Sequence, residues 1–349
     1  MSLLDNVIKD INKKYKEDIA FKGLDRLEIT KIPFSSPRLN YLLYGGIPRN
    51  RIIELIGENG SGKTTTALDL VSNAQKIFKE EGQNKKVIYI DVENTLDEMW
   101  ASLLGVDVDE LVVIRPQTQT AEQILDIMID LIKTNEVGLM VLDSVATMVS
   151  QNIFDESMEK KSMAGISAPL TRFVNLAVSL LTKHQCTLIL INQVRQDINN
   201  PYNQFVTPGG EALKHQCSVR LNFRKDGYID ENGNDVKQSY ENPAGHYVKV
   251  NVVKSKVSRN DRKIGFYTLR YRTGIDWIND LIDCGMKFNI INQAGAWFSV
   301  FDQNGELKNK EDGTPHKYQG ESKLRAAIKE DESLKDYLLS EINKNIELE

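Results

Sequence analysis

From Gly57 the chain reads Gly57-Glu58-Asn59-Gly60-Ser61-Gly62-Lys63-Thr64, which fits the pattern GxxxxGK[ST]. The apolar run Ile52–Ile56 stops directly before it, and a helical pattern starts at Thr64. Both flanks matter, because the pattern binds phosphate only as a strand, a loop and a helix in that order. The glycines let successive backbone N–H groups converge on a phosphate chain, and the helix N-terminus adds a favourable dipole. Lys63 is expected to neutralise the β- and γ-phosphates, and the Thr64 hydroxyl to ligate Mg²⁺. A chance glycine-rich turn is the bland alternative, and the correct flanks weigh against it. ATP with magnesium, bound and hydrolysed, is the chemistry these residues point to.

Phosphoryl transfer relies on positioning and charge stabilisation, so carboxylates and amides near the loop are the next candidates. Asp143 closes the apolar run Leu139–Leu142, where a carboxylate can hold the magnesium, usually through water. A strand-end Asp capping the next turn is commoner in general, but the phosphate loop tips the balance toward the metal. Glu93 follows the run Val87–Ile90 and can orient the attacking water if that strand lies beside the phosphate-loop strand. Asp91 is its competitor, and a plain surface carboxylate is the alternative to both. Gln193 follows Leu188–Ile191, where an amide can hydrogen-bond a γ-phosphate or simply cap the strand.

Two segments without apolar periodicity extend the site. Residues 195–210 form a long loop, and loops of that length in a compact domain are usually functional or disordered. Arg195 suits a nucleic-acid phosphate, Ile198 a wedge between bases, and Tyr202 or Phe205 a stacking platform, with Gly209 and Gly210 closing the segment. Residues 155–165 carry Lys160, Lys161 and Met163, a backbone contact with an apolar neighbour or else solvated surface. Lys254 and Lys256 alternate along one strand, with Arg259, Arg262 and Lys263 in the turn beyond. This densest basic patch suits DNA phosphates or a neighbouring subunit's nucleotide, while a lysine-guarded sheet edge is the plainer reading. Trp100 can stack on adenine or fill a partly buried core position.

The elements that must hold these residues are legible in the spacing of apolar positions. Buried strands are expected at Ile52–Ile56, Val87–Ile90, Leu111–Ile114, Leu139–Leu142 and Leu188–Ile191, with helices at Thr64–Phe78, Ala121–Lys133 and Leu170–Lys183. That alternation means βαβ units and a mostly parallel sheet. Ser218–Phe223, Tyr247–Val253 and Gly265–Tyr271 follow without long helices and should extend the sheet antiparallel, with Asp226–Asp235 as a polar turn. Residues 3–18 have the spacing of a helix with one sticky face, and Pro33 and Pro37 break regular structure after it. From about Asp276 a small separate C-terminal module of short helices and one hairpin is expected.

The chain has 349 residues, 41% hydrophobic and 27% charged, an ordinary soluble profile for one large α/β domain with satellites. Its apolar runs are too short to span a bilayer, and its first residues lack the form of a signal peptide. Cys186, Cys217 and Cys284 are too dispersed for a zinc site or disulfide framework. A cytoplasmic location is expected. A net charge of −5 argues against a passive nucleic-acid coat without excluding a local basic groove.

Together these blocks resemble the RecA family of bacterial strand-exchange recombinases over most of the chain. The resemblance rests on Gly57 to Thr65, Ile90 to Asp97, Val141 to Ala146 and Ile191 to Arg195. It continues through Pro208 to Lys214, Val252 to Lys256, Asp280 to Gly285 and Gln293 to Phe298. It implies a RecA-like P-loop ATPase core of α/β class, with an N-terminal helix and a small C-terminal α+β module. Residues 1–35 would be an oligomerisation helix and linker, 36–275 the ATPase core with its DNA-binding loops, and 276–349 the C-terminal module. It further implies a helical filament on single-stranded DNA that pairs it with homologous duplex, ATP lying between adjacent subunits. Glu93 becomes the water-orienting base, Gln193 the γ-phosphate sensor, and Lys254 and Lys256 groups that reach the neighbour's ATP. Thr65 joins the phosphate loop, Trp100 takes an adenine-stacking position and Ile198 the base-wedging one.

The chain departs from the family pattern in places. It stops at Ile346-Glu347-Leu348-Glu349 where bacterial members usually carry a longer acidic tail. The 195–210 run differs in sequence, and His215 stands where an aromatic is common at the subunit contact. With abundant Asn, Lys and Ile, these departures suggest a phage or mobile-element member. The rival expectations are a filament-forming DNA-protection protein without pairing activity and a hexameric helicase-type motor.

Overall fold

The computed structural model describes residues 2–16, 20, 29–155, 165–196, 205–259 and 261–348. The chain forms two compact units, residues 1–30 and 31–349.

The first unit is built on the helix Leu3–Tyr15. Ser2 and Asp5 cap it reciprocally: Asp5 N–H donates to Ser2 Oγ at 3.2 Å and Ser2 N–H to Asp5 Oδ2 at 2.8 Å. Lys16 ends it in the left-handed conformation, short of the expected residue 18. None of its residues is buried, so the apolar face of Leu3, Leu4 and Val7 is open.

The second unit is organised by a ten-stranded sheet. Its strands are β1 (Ile52–Gly57), β2 (Lys86–Asp91), β3 (Leu111–Ile114), β4 (Val137–Asp143) and β5 (Thr187–Gln193). They continue as β6 (Val219–Ile229), β7 (Asp235–Val236), β8 (Gly245–Ser255), β9 (Ile264–Arg270) and β10 (Gly274–Ile275). The spatial order is β10-β9-β8-β6-β1-β5-β4-β2-β3, with β7 on β6. From β3 through β6 every pairing is parallel, and β6 to β10 add the antiparallel half.

Both faces of the parallel half are covered, which is why its strands read as continuous apolar runs rather than alternating ones. On one face the helix Lys63–Glu80 lays Ala67, Leu68, Val71 and Ala74 over Leu55, Tyr89, Val141 and Phe223. On the other, Ala121–Lys133 and Ser167–Lys183 cover Ile90, Leu142 and Leu190. Each fully buried Leu or Ile contributes roughly 2 kcal/mol. A third apolar cluster lies wholly after Asp276, made by the helices Trp277–Lys287, Glu321–Glu330 and Glu332–Leu348 with three short antiparallel strands. Among the described residues no helix is long and apolar enough to cross a membrane.

Three local expectations are corrected. The segment around Pro37 is a short helix, Pro37–Leu42, because proline is suited to a first helical turn and Ser36 Oγ accepts from Leu39 N–H. The Asp226–Asp235 turn is tighter than expected. Strand β6 runs on to Ile229, which is 1% exposed, and Asp230 to Asn234 close the hairpin, Asn234 N–H donating to Asp230 Oδ1 at 2.8 Å. In the C-terminal module Lys317–Gln319 adds a third strand to the expected hairpin.

Candidate active site

The phosphate loop leaves the carboxyl end of β1, whose six residues are all buried between β5 and β6. Gly57 passes so close to β6 that a Cβ there would sit 2.4 Å from Phe223 O. Gly62 starts the helix Lys63–Glu80 at φ 97°, left-handed backbone that disfavours side chains, and a Cβ would lie 2.6 Å from Tyr267 OH. Its carbonyl accepts from Thr66 Oγ1 at 2.8 Å and from Tyr267 OH at 3.3 Å, so buried β9 pins the corner. Tyr267 was not among the sequence candidates. Within the loop, Lys63 Nζ donates to Glu58 O at 2.7 Å, and the buried Ser61 hydroxyl has no hydrogen-bond partner among the described residues. Burial pulls the Lys63 ammonium down from its ordinary pKa, and the carboxylates of Asp143, Glu93 and Glu58 oppose it.

Acids face this loop from β4 and β2, which end side by side at Asp143 and Asp91. Asp143 Oδ2 accepts from Thr64 Oγ1 at 3.1 Å and from Tyr89 OH at 2.6 Å. Burial raises the Asp143 carboxyl above the usual range, Tyr89 and Thr64 pull it back, and the charges of Glu93 and Asp91 push it up again. Glu93 Oε1 accepts from Ser144 Oγ at 2.5 Å and from Gln193 Nε2 at 3.0 Å. The condition set for Glu93 is not met, because β5 and β4 stand between β2 and β1. Glu93 reaches the site instead beyond the strand ends, through Ser144 after β4 and Gln193 at the end of β5. Gln193 is level with Gly57 in the register. Asp91 is differently engaged: its oxygens accept from Thr95 N–H (3.0 Å), Leu96 N–H (3.1 Å) and Arg115 Nε (3.2 Å), fixing the turn after β2.

These groups fit a magnesium nucleotide. Oxygen donors suit Mg²⁺, and here the Thr64 hydroxyl is already paired with an Asp143 carboxylate crowded by like charges. The Ser61 hydroxyl, without a partner among the described residues, and the Lys63 ammonium, placed on the carbonyl of Glu58, are donors suited to an anion.

Other candidates lie further out. Trp100 sits on the short helix Glu98–Leu103, half-buried against the apolar cluster beneath the phosphate-loop helix, and its backbone N–H donates to the N-cap Asp97 Oδ1 at 2.9 Å. Lys254 is on β8 and Lys256 just past its end, yet both ammoniums donate to His215 O, at 2.8 and 2.7 Å. They sit at the C-terminus of the helix Gly210–Gln216, where the helix dipole favours cations. Arg195–Gln196 and Phe205–Val206 pair antiparallel and close the base of the 195–210 segment. Gly209 and Gly210, at φ 108° and 76°, turn the chain into the following helix. Ile198 and Tyr202 fall outside the described residues, as do Lys160, Lys161 and Met163 and the side chains of Arg195 and Phe205.

One buried network escaped the sequence reading. Glu54, in the middle of β1 with no exposure, accepts from Arg220 Nε at 2.5 Å and from Asn192 Nδ2 at 2.8 Å. Asn192 Nδ2 also donates to Pro208 O at 2.9 Å, and Arg220 Nη2 to Thr207 Oγ1 at 3.3 Å. The signal lay in the sequence: Ile53-Glu54-Leu55 and Val219-Arg220-Leu221 each place one charge inside an apolar strand, and such charges need a partner.

With this geometry in hand, the family model described as RecA N-terminal domain matches residues 2–276. A protein RecA of Fusobacterium nucleatum is 36% identical over 287 residues, covering 81% of this chain and 71% of the relative. One from Thermus aquaticus is 34% identical over 312 residues, 88% of this chain and 87% of the relative. One from Malacoplasma penetrans is 34% identical over 348 residues, 98% of this chain and 97% of the relative.

Proposed function

The chain belongs to the RecA family, and on that footing we propose that it is an ATP-dependent recombinase. It hydrolyses ATP in response to single-stranded DNA, assembles on that strand as a helical filament, and pairs it with homologous duplex. The observation that carries this reading is the contact of Glu93 Oε1 with Gln193 Nε2 at 3.0 Å. It joins the carboxylate suited to hydrolysis to the residue from which the 195–210 segment departs.

In this reading Gly57 to Thr65 wrap the phosphates, Ser61 offers its hydroxyl, and Lys63 moves from Glu58 O onto the β- and γ-phosphates. Magnesium, held by Thr64 and by Asp143 directly or through water, would neutralise charge on the phosphate oxygens. Glu93 orients the attacking water and accepts its proton, a role in which a carboxylate anchored by Ser144 and Gln193 starts already positioned. Arrival of a γ-phosphate competes for the Gln193 amide, so the nucleotide state is passed to the 195–210 segment. Arg195, Ile198, Tyr202, Phe205, Gly209 and Gly210, with Lys160, Lys161 and Met163 of the other loop, form the single-strand contact. Trp100 stacks on adenine, and Lys254 and Lys256 reach the ATP of an adjacent subunit.

The domain roles follow. Residues 1–35 serve oligomerisation through the open face of the helix Leu3–Tyr15, 36–275 form the ATPase core, and 276–349 a C-terminal module with its own apolar cluster. The test is Glu93→Gln. Its expected behaviour is retained ATP and single-strand binding with hydrolysis lowered at least a hundredfold, general-base catalysis being worth roughly 10²–10⁴. Normal turnover would remove Glu93 from its role.

A further inference from the structure

Tyr89 is 1% exposed and sits in the apolar cluster beneath the phosphate-loop helix. On β2 it lies opposite Val141, two residues before the Asp91–Asp143 pair that ends both strands at the carboxyl edge. Its hydroxyl donates to Asp143 Oδ2 at 2.6 Å. A buried phenol needs a hydrogen-bond partner, and here the partner is the acid proposed to hold magnesium. Thr64 Oγ1 lands on the same oxygen at 3.1 Å, so neither donor occupies Oδ1.

The two donors differ in what else they can do. Thr64 is itself a proposed cation ligand, and its hydroxyl has a competing use once a cation is present. Tyr89 is no proposed cation ligand: it is 1% exposed, its ring belongs to the apolar cluster, and its hydroxyl is placed on Asp143 Oδ2. We propose that Tyr89 is a positioning residue for the nucleotide's divalent cation, its hydroxyl fixing the Asp143 carboxylate while Thr64 turns to the cation. The inference rests on the nucleotide-site reading above and adds to it a residue that touches neither the phosphates nor the cation. Hydrogen-bond partners of metal-ligating carboxylates typically matter by 10- to 100-fold in metal affinity or activity.

The test is equilibrium binding of a fluorescent ADP analogue to the full chain and to Tyr89→Phe, first in EDTA and then across a magnesium titration. Phenylalanine keeps the ring and its packing, and removes only the hydroxyl. The expected result is unchanged affinity in EDTA, with the magnesium concentration for half-maximal enhancement raised about tenfold. In an Asp143→Asn background the same substitution should add nothing, since the group it positions is already altered. An unchanged magnesium midpoint overturns the proposal. So does an equal loss with and without magnesium, which marks a packing role, or an undiminished Tyr89→Phe effect in the Asp143→Asn background. Failure of the unsubstituted chain to bind the analogue at all would count against the nucleotide-site reading instead.

Discussion

Arg220→Met isolates the buried pair that ties the phosphate-loop strand to the end of the 195–210 segment. In the native chain Glu54 has no exposure, and its oxygens are shared between Arg220 Nε at 2.5 Å and Asn192 Nδ2 at 2.8 Å. Methionine fills most of the arginine volume but leaves a carboxylate in an apolar strand with one neutral donor. Removing one partner of a buried ion pair costs about 3–5 kcal/mol, because the remaining charge is uncompensated. At a urea dependence of roughly 3 kcal/mol per molar, that lowers the unfolding midpoint by roughly 1 M or more. Adding Glu54→Leu removes the stranded charge and should recover most of the loss, since apolar replacement of a whole buried pair is often neutral. Urea melts of the chain, the single variant and the double variant measure this directly. A single variant within about 0.3 M of the parent, or a double variant no better than the single, refutes the reasoning.

Two other perturbations have definite outcomes. Burial raises the Asp280 carboxyl to about 8 and the Asp69 carboxyl to about 6, from an ordinary 3.8. The folded state therefore holds these protons more tightly than the unfolded one, and their stabilisation, complete below pH 3.8, is lost as pH rises toward about 8. Asp280→Asn should flatten the fall in melting temperature between about pH 6 and pH 8, and an unchanged slope there would contradict the assignment. Gly62→Ala forces a side chain onto left-handed backbone, at roughly 1–2 kcal/mol, and against Tyr267 OH. It should lower the melting temperature and abolish the stabilisation that Mg-ATP gives the parent; full retention of that stabilisation would show that the corner yields.

The parts of the site legible in the sequence are those whose chemistry is local. The phosphate loop is contiguous, and its glycines, Lys63 and Thr64 are fixed by spacing alone. Apolar runs mark β1 to β5 as buried strands, but burial does not say which strand lies beside which. Whether the strand before Glu93 lies beside the phosphate-loop strand could therefore not be read from the runs, and the contacts of Glu93 to Ser144 and Gln193 are set by sheet order. Tyr89, Tyr267, Arg220 and Asn192 were missed because each acts across strands distant in sequence. The alternation of Lys254 and Lys256 along one strand gives their shared face, but their seat on His215 O depends on where the helix Gly210–Gln216 ends. Pro37 was read as a breaker, although a first helical turn tolerates it.

The central claim is that one machine joins the phosphate loop to a single-strand contact. ATP hydrolysis with and without single-stranded DNA, at fixed magnesium and salt, tests it most directly. The account predicts slow turnover alone and a large stimulation by DNA that Glu93→Gln abolishes. Equal turnover in both reactions would leave an ATPase whose site is not linked to DNA, and would contradict it.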